Sequence, residues 1–417
     1  MRMAKLAVLA FVLASGASDA TDLSAVQLGP RPFYLIDKMD EGELKAKLES
    51  CAAGPFSLTD FSIAHRGAPL QFPEHSRESY LAAAKMGAGM IECDVTFTAD
   101  LELVCRHSQS DLATSTNILE TPLADTCVEP FSPATFHNDG RVDKPASAKC
   151  RTSELTLAEF LSLEAKMDSR NPAAVTPAEY MHGTPPWRTD LYSSGGTLMS
   201  HAQSIELLRG LGVKFIPELK APEVAMPFTS PITGEVLSRT DFAAKLINEY
   251  KLAGISAEEV RPQSFHPSDV GHWLKTAPEF GANAILLDGR EYHPLNPADI
   301  NSPSLQQIAD MGVKTIAPPL WVLLKVENRE IVPSDYALSA SAANLNLITW
   351  TVERSGRIRE DVLEGPNKYY FRSLLSAVKD DSDVYPVIDV LARHVGVKGI
   401  FSDWPSTVTY YANCMGL

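Results

Sequence analysis

Glu92 and Asp94 are separated by a single residue. On a β-strand that spacing puts both carboxylates on one face and turns Cys93 to the other. Two carboxylates aimed into the interior of a protein repel each other and lose their hydration, so something must neutralise them. A divalent cation is the simplest solution, and an all-oxygen set suits Ca²⁺ or Mg²⁺ better than Zn²⁺. Glu218 closes another apolar run and can complete the set. An isolated Glu-x-Asp is commonly a pair of solvated or salt-bridged acids. Here the run around it is short and apolar, and other run ends also carry polar groups.

His65 and His107 are the candidate proton carriers, because imidazole titrates near neutrality and can give or take a proton. A lone histidine is more often a satisfied core or surface residue. His65, however, is followed by Arg66 and Gly67. Arg66 offers a planar fork of donors to a phosphate, and Gly67 permits a tight turn. Lys220 adds a second cation beside Glu218. One metal, an arginine, a lysine and two histidines suit phosphoryl chemistry. The cations stabilise charge on the phosphate oxygens while the imidazoles move protons for the nucleophile and the leaving group.

These residues must be brought together by the elements that carry them. Ser62 to His65 reads as a strand, Arg77 to Met86 as a helix, Met90 to Thr96 as a strand, and Leu101 to Arg106 as the next strand. Residues 108–200 break this rhythm with Pro, Ser, Thr and Asn. They read as an insertion of loops with one clear helix, Leu155 to Lys166, capped by Thr152 or Ser153. The alternation then resumes. Helices over 201–210, 240–251, 267–276, 303–310, 335–343 and 384–394 each lead to a strand, at Val213–Leu219, Val260–Phe265, Ala284–Leu287, Val313–Ala317, Leu347–Val352 and Gly399–Phe401. Repeated strand–helix units imply a parallel sheet, and about eight of them imply an α/β fold of the closed (β/α)₈ TIM-barrel type. The insertion follows the third strand. Barrel active sites sit at the C-terminal ends of the strands. His65 and Arg66, Glu92 and Asp94, His107, Glu218 and Lys220, Gln263 and Ser264, Trp350 and Thr351, and Asp403 all fall there.

The chain has 417 residues and a net charge of −15. Such an acidic surface argues against nonspecific nucleic-acid binding. It says little about a small phosphodiester, the partner that the candidate residues suit, because such a substrate meets a local field that a bound cation can reverse. Residues 1–20 are expected to be a signal peptide: Arg2 and Lys5, then an apolar run from Leu6 to Ala14, then small residues. That run is too short to span a bilayer, which needs about 20 residues. The expectation is therefore a secreted or periplasmic protein with a lead-in over 21–60 and a barrel over 61–417. The lead-in carries one short amphipathic helix near Glu41 to Cys51. Export permits disulfides. Of six cysteines, Cys127 and Cys150 flank a polar loop and are expected to pair. Cys51 with Cys414 would tie the chain ends together. Cys93 and Cys105 lie within strands and read as buried small hydrophobes. Oligomeric state is not legible.

Several segments resemble the glycerophosphodiester phosphodiesterase family. They are Ile63-Ala64-His65-Arg66-Gly67, Pro73-Glu74, Gly87-Ala88-Gly89-Met90-Ile91-Glu92-Cys93-Asp94-Val95 and Val104-Cys105-Arg106-His107. Later ones are Pro217-Glu218-Leu219-Lys220, Gln263-Ser264-Phe265, Trp350-Thr351-Val352 and Gly399 to Pro405. The resemblance implies metal ligation by Glu92, Asp94 and Glu218, acid/base roles for His65 and His107, and phosphate contacts from Arg66 and Lys220. It also implies cleavage of glycerophosphodiesters to an alcohol and glycerol 3-phosphate, and an insertion that covers the site. His75 stands where the family pattern has Asn, Ser108 where it has an acid, and Leu101 where it has Gly. None of these departures removes a proposed ligand or proton carrier. The nucleophile is left open between water and a neighbouring glycerol hydroxyl. Two other readings stay open: phospholipase D-like cleavage of a lysophospholipid or sphingolipid, and an exported barrel that does not catalyse.

Overall fold

The computed structural model describes residues 26–189, 192, 195–289 and 303–417. The expected signal peptide over 1–20 lies outside the described residues.

Eight staves form the barrel, three of them interrupted midway. They are Thr59–Ala64; Ala88–Ile91 continued by Asp94–Phe97; Lys214–Phe215 continued by Glu218–Leu219; Gln263–Ser264; Ile285–Leu287; Thr315–Ala317; Asn346–Leu347 continued by Thr349–Val352; and Ile400–Ser402. Each pairs in parallel with the next, through Ile63↔Met90, Asp94↔Glu218, Glu218↔Gln263, Gln263↔Ile285, Ile285↔Thr315, Thr315↔Asn346 and Thr349↔Ile400. The pairing Ser62↔Ile400 returns the last stave to the first and closes the ring. Ile63, Met90, Ile216, Ile285, Leu287, Ala317, Ile348 and Phe401 fill the barrel as one apolar cluster. The larger core lies between the staves and the helices around them.

The helices match the apolar spacing closely: His201–Leu211, Arg239–Leu252, Pro267–Thr276, Leu305–Asp310, Asp335–Ala342 and Val384–Asp389, the last running on through a wider turn over Val390–Val395. Several begin with reciprocal caps, Ser200 with Gln203, Ser238 with Asp241 and Ser304 with Gln307. Each such cap satisfies two N–H groups that the first turn leaves without partners.

The strand before the insertion differs from expectation. Leu103–Cys105 runs antiparallel to Asp94–Phe97, with Val95 opposite Cys105, so it is an arm outside the ring. A parallel return needs a crossover of about a dozen residues. Only the turn over 98–102 is available, with Thr98 donating to Asp100 and Leu101 in the left-handed region at φ 64°. The hairpin also corrects the reading of Cys93 and Cys105. Folding back brings their Cα atoms to 5.3 Å, and they form a disulfide instead of packing as free thiols. Cys127–Cys150 and Cys51–Cys414 are bonded as expected.

The insertion is more structured than loops. It holds two antiparallel hairpin pairings, Glu129–Ser132 with Ser147–Lys149 and Thr135–Phe136 with Val142–Lys144. Its own core includes Leu112, Ile118, Leu155, Phe160 and Tyr180. The expected helix over Leu155 to Lys166 shortens to Leu157–Leu161, capped by Thr156 with Glu159. Thr152 cannot cap it, because its hydroxyl donates to the Phe97 carbonyl at 2.8 Å. Glu164–Ala165 instead pairs with Gly196–Thr197 as strand. The lead-in carries a helix that the sequence reading missed, Arg31–Lys38, beside the expected one at Glu43–Glu49. The lead-in packs on the C-terminal helix Pro405–Met415, where Phe33 meets Tyr410 edge-on at 5.3 Å and Tyr410 donates to the Leu48 carbonyl at 2.7 Å. Among the described residues no helix is long and apolar enough to cross a membrane.

Gly89 sits where the first two staves meet, and a Cβ there would overlap the backbone of Thr59 and Asp60. Backbone on both sides leaves no flexible neighbour to yield. Gly89→Ala is expected to destabilise the protein by about 1–3 kcal/mol, the usual cost of overpacking. The urea midpoint measures this, and an unchanged midpoint would contradict the close approach.

Candidate active site

Register across the second, third and fourth staves builds the centre. Asp94, Glu218 and Gln263 are in-register partners across the three staves, and Glu92 lies two residues before Asp94. One carboxylate oxygen from each of Glu92, Asp94 and Glu218 lies within 4.8 Å of the other two, and all three residues are buried. Crowding shows in their acidities. Burial, then Asp94 and Glu218, push Glu92 well above the ordinary carboxylate range. Burial, with a contribution from Asp94, pushes Glu218 up to about 7 against the pull of Lys220. Burial would raise Asp94 as well, but Lys220, His75 and Arg66 together hold it well below its ordinary value. Asp94 Oδ1 is buried with no hydrogen-bond partner. Three clustered carboxylates with an orphaned oxygen fit a divalent cation.

The same cavity, about 220 Å³, is lined by His65, Arg66, Glu92, His107, Glu218 and Lys220, and on its other side by aromatic rings. His65 ends the first stave. Its Nδ1–H donates to Asp403 Oδ1 at 2.6 Å, which leaves Nε2 on the Glu92 side, 3.9 Å from that carboxylate. Burial, then Arg66, lowers the His65 pKa to about 4 even though Asp403 opposes the shift. Burial, Arg66 and Lys220 lower His107 well below the ordinary imidazole range. Burial thus disfavours the charged form of both rings.

Both expected phosphate contacts are engaged with carboxylates. Arg66 Nη1 donates to both oxygens of Glu74 at 3.0 and 3.1 Å, and its backbone N–H donates to Glu92 at 3.0 Å. Lys220 pairs with Glu218 at 2.7 Å. Arg66 has φ 59° and Gly67 φ 97°, so the chain turns sharply after His65. A Cβ on Gly67 would strike Ser79, whose hydroxyl accepts from the Ala68 N–H at 2.8 Å.

Several contributors were not assigned a role from sequence. His75, the departure from the Asn pattern, is fully buried at φ 53° and donates from Nε2 to Asp94 at 2.8 Å. Its Nδ1 accepts from the Tyr80 hydroxyl at 3.0 Å, which fixes the tautomer. Gln263 Nε2 donates to Glu92 at 2.8 Å. Arg354 bridges Asp403 at 2.9 Å and Glu74 at 2.8 Å, and reaches Asp168 of the insertion at 3.3 Å. Position at a stave end singles out Asp403 and Gln263. Arg354 has no such signal, since its partners come from 49 and 280 residues away. Ser108, where the pattern has an acid, donates to Glu223, so a carboxylate from the loop after the third stave reaches that position. The aromatic side of the cavity is formed by Phe265, Trp350, Tyr369, Tyr370 and Phe401.

The glycerophosphoryl diester phosphodiesterase family model matches residues 65–407. A protein of Arthroderma benhamiae named "Extracellular protein" is 44% identical over 253 residues, which is 60% of this chain and the whole of that protein. "Probable glycerophosphodiester phosphodiesterase 1" of Mycobacterium tuberculosis is 36% identical over 104 residues, 25% of this chain and 37% of that one. In fold, the chain is similar to the crystal structure of a Silicibacter pomeroyi protein named for the same family, with TM-score 0.51 and 18% identity over 87% of this chain and 96% of that one. The family match runs from the histidine ending the first stave into the helix after the last, so it takes in every residue of the cavity: the chain belongs to the glycerophosphoryl diester phosphodiesterase family and is a phosphoric diester hydrolase of that class.

Proposed function

We propose that the protein is an exported, metal-dependent glycerophosphodiester phosphodiesterase that releases an alcohol and glycerol 3-phosphate. The observation that carries this reading is one cavity lined by His65, His107, Glu92 and Glu218, whose two carboxylates cluster with the buried Asp94. Export is supported by three disulfides and by similarity to a protein named as extracellular.

Glu92, Asp94 and Glu218 hold the cation, Ca²⁺ or Mg²⁺. When bound, it supplies positive charge to the phosphate oxygens. Arg66 and Lys220 add their own charge beside it, each held in place by a carboxylate. His65 takes the proton of the nucleophile through Nε2. Asp403 orients the ring and stabilises the imidazolium that forms, while Arg354 holds Asp403 from behind. His107, protonated once the anionic substrate offsets the charges of Arg66 and Lys220, then gives that proton to the leaving alcohol. The aromatic side receives that alcohol and excludes water. His75 acts on Asp94, as a positioning residue.

The lysophospholipid reading draws support from the same rings, which offer an apolar side for an acyl-bearing substrate. An apolar groove formed by residues 108–200 would favour it further, yet among the described residues none of that segment lines the cavity. Soluble diesters are therefore the favoured substrates. Higher turnover on micellar lysophospholipid than on glycerophosphocholine would reverse the preference.

His65→Ala and His107→Ala should each lower kcat on glycerophosphocholine by about 10²–10⁴-fold, the usual contribution of a positioned acid or base. With a p-nitrophenyl diester the leaving group needs no proton. His107→Ala should then recover most of its activity, while His65→Ala stays impaired. Equal recovery by both variants would overturn the assignment of roles.

EDTA should abolish turnover, and Ca²⁺ or Mg²⁺ should restore it. Because Glu218 must lose its proton to bind the ion, metal affinity should weaken as pH falls below about 7. Calorimetric metal titrations at several pH values measure this, and Glu92→Gln should weaken binding throughout. Affinity independent of pH between 5 and 8 would contradict the ligand set.

A further inference from the structure

The barrel has a second opening, at the end where the staves begin. A cavity of about 390 Å³ lies there, and its rim carries Arg261, Lys314 and Lys398. Each precedes a stave, and backbone pairing fixes the positions: Arg261 N–H to Phe215 O at 2.8 Å, Asn346 N–H to Lys314 O at 2.9 Å, and Lys398 N–H to Leu347 O at 2.7 Å. The one acid on the rim, Asp60, is already paired with Lys214. Among the described residues, none of Arg261, Lys314 and Lys398 has a carboxylate partner. Among the described residues the Arg261 guanidinium donates to the Glu258 carbonyl alone, at 3.1 Å.

Three uncompensated cations around one space are unusual on a chain of net charge −15. They repel one another, and an anion seated between them would relieve that repulsion. Met90, Ile285 and Ile348 form an apolar floor. They belong to the same cluster as Leu287 and Phe401, which line the catalytic cavity. One apolar cluster thus separates the two cavities, and no catalytic residue reaches the lower one.

We propose that this lower cavity binds a small polyvalent oxyanion of the phosphate class, held by Arg261, Lys314 and Lys398 at a site separate from the catalytic centre. A phosphate dianion presents tetrahedral oxygens to three donors at once. The apolar floor leaves space for the carbon portion of a phosphate monoester. Carboxylates of single charge match the three cations less well.

The test is calorimetric titration of inorganic phosphate into EDTA-treated full-length protein, comparing the unmodified chain with Lys314→Gln/Lys398→Gln and, separately, Arg261→Gln. The unmodified chain should bind one phosphate, more weakly as NaCl is raised. The double variant should bind it about tenfold more weakly or worse, as expected for loss of charge-assisted hydrogen bonds. Diester turnover with metal restored should be unchanged, which also reports that the variants fold. Equal phosphate affinity in the variants would place the anion elsewhere and overturn the proposal. Absence of phosphate binding by the unmodified chain would do the same.

Discussion

Burying Glu92, Asp94 and Glu218 within 4.8 Å of one another is the constraint on which the rest of the structure is arranged. Each buried carboxylate costs several kcal/mol unless it is paired, hydrogen-bonded or bound to a cation. The protein meets that cost from every direction. Arg66 N–H and Gln263 donate to Glu92, His75 donates to Asp94, and Lys220 pairs with Glu218. These donors come from the fourth stave, from the end of the third and from the loop after the first. A barrel is needed to assemble them, because register alone brings Asp94, Glu218 and Gln263 level with each other.

A second set of charges surrounds this one. Asp403, Arg354, Glu74 and Arg66 alternate in sign from His65 round to the neighbourhood of Asp94. Asp168 joins the chain through Arg354, and Arg188 pairs with Asp168 while donating to the Pro69 carbonyl. The insertion thus meets the barrel through the same ionic chain that orients His65. Its contribution is at the rim, by polar contacts, while the aromatic side of the cavity comes from the barrel's own later staves and the segments that follow them. Removing any single member would leave a buried partner uncompensated, which costs more than the pair itself contributes.

Much of this was legible in the sequence because it depends on local spacing. Alternation of helix and strand set the staves to within a few residues, and the Glu-x-Asp spacing put two carboxylates at one centre. The later helices read clearly since their caps and apolar faces are local signals. What escaped was set by partners distant in sequence or by turn geometry. Cys93 and Cys105 read as separate strand residues until the short turn over 98–102 is seen to forbid a parallel return. Helix Arg31–Lys38 gains its burial from the far end of the chain, which no local window contains. His75 looked like a loss of Asn, but it takes a left-handed backbone and its ring reaches Asp94. Arg354 follows a stave with nothing nearby to mark it, and only closure of the barrel gives it Glu74 and Asp403.

The Cys51–Cys414 bond joins residues 363 positions apart. It turns nearly the whole described chain into a covalent circle. A circle cut once remains a single molecule. Hydrolysis of one peptide bond in an exposed hairpin of the insertion would therefore release no fragment, and the staves on either side of the nick would stay tethered at the opposite pole. Under attack by a protease, that topology separates being cut from being lost.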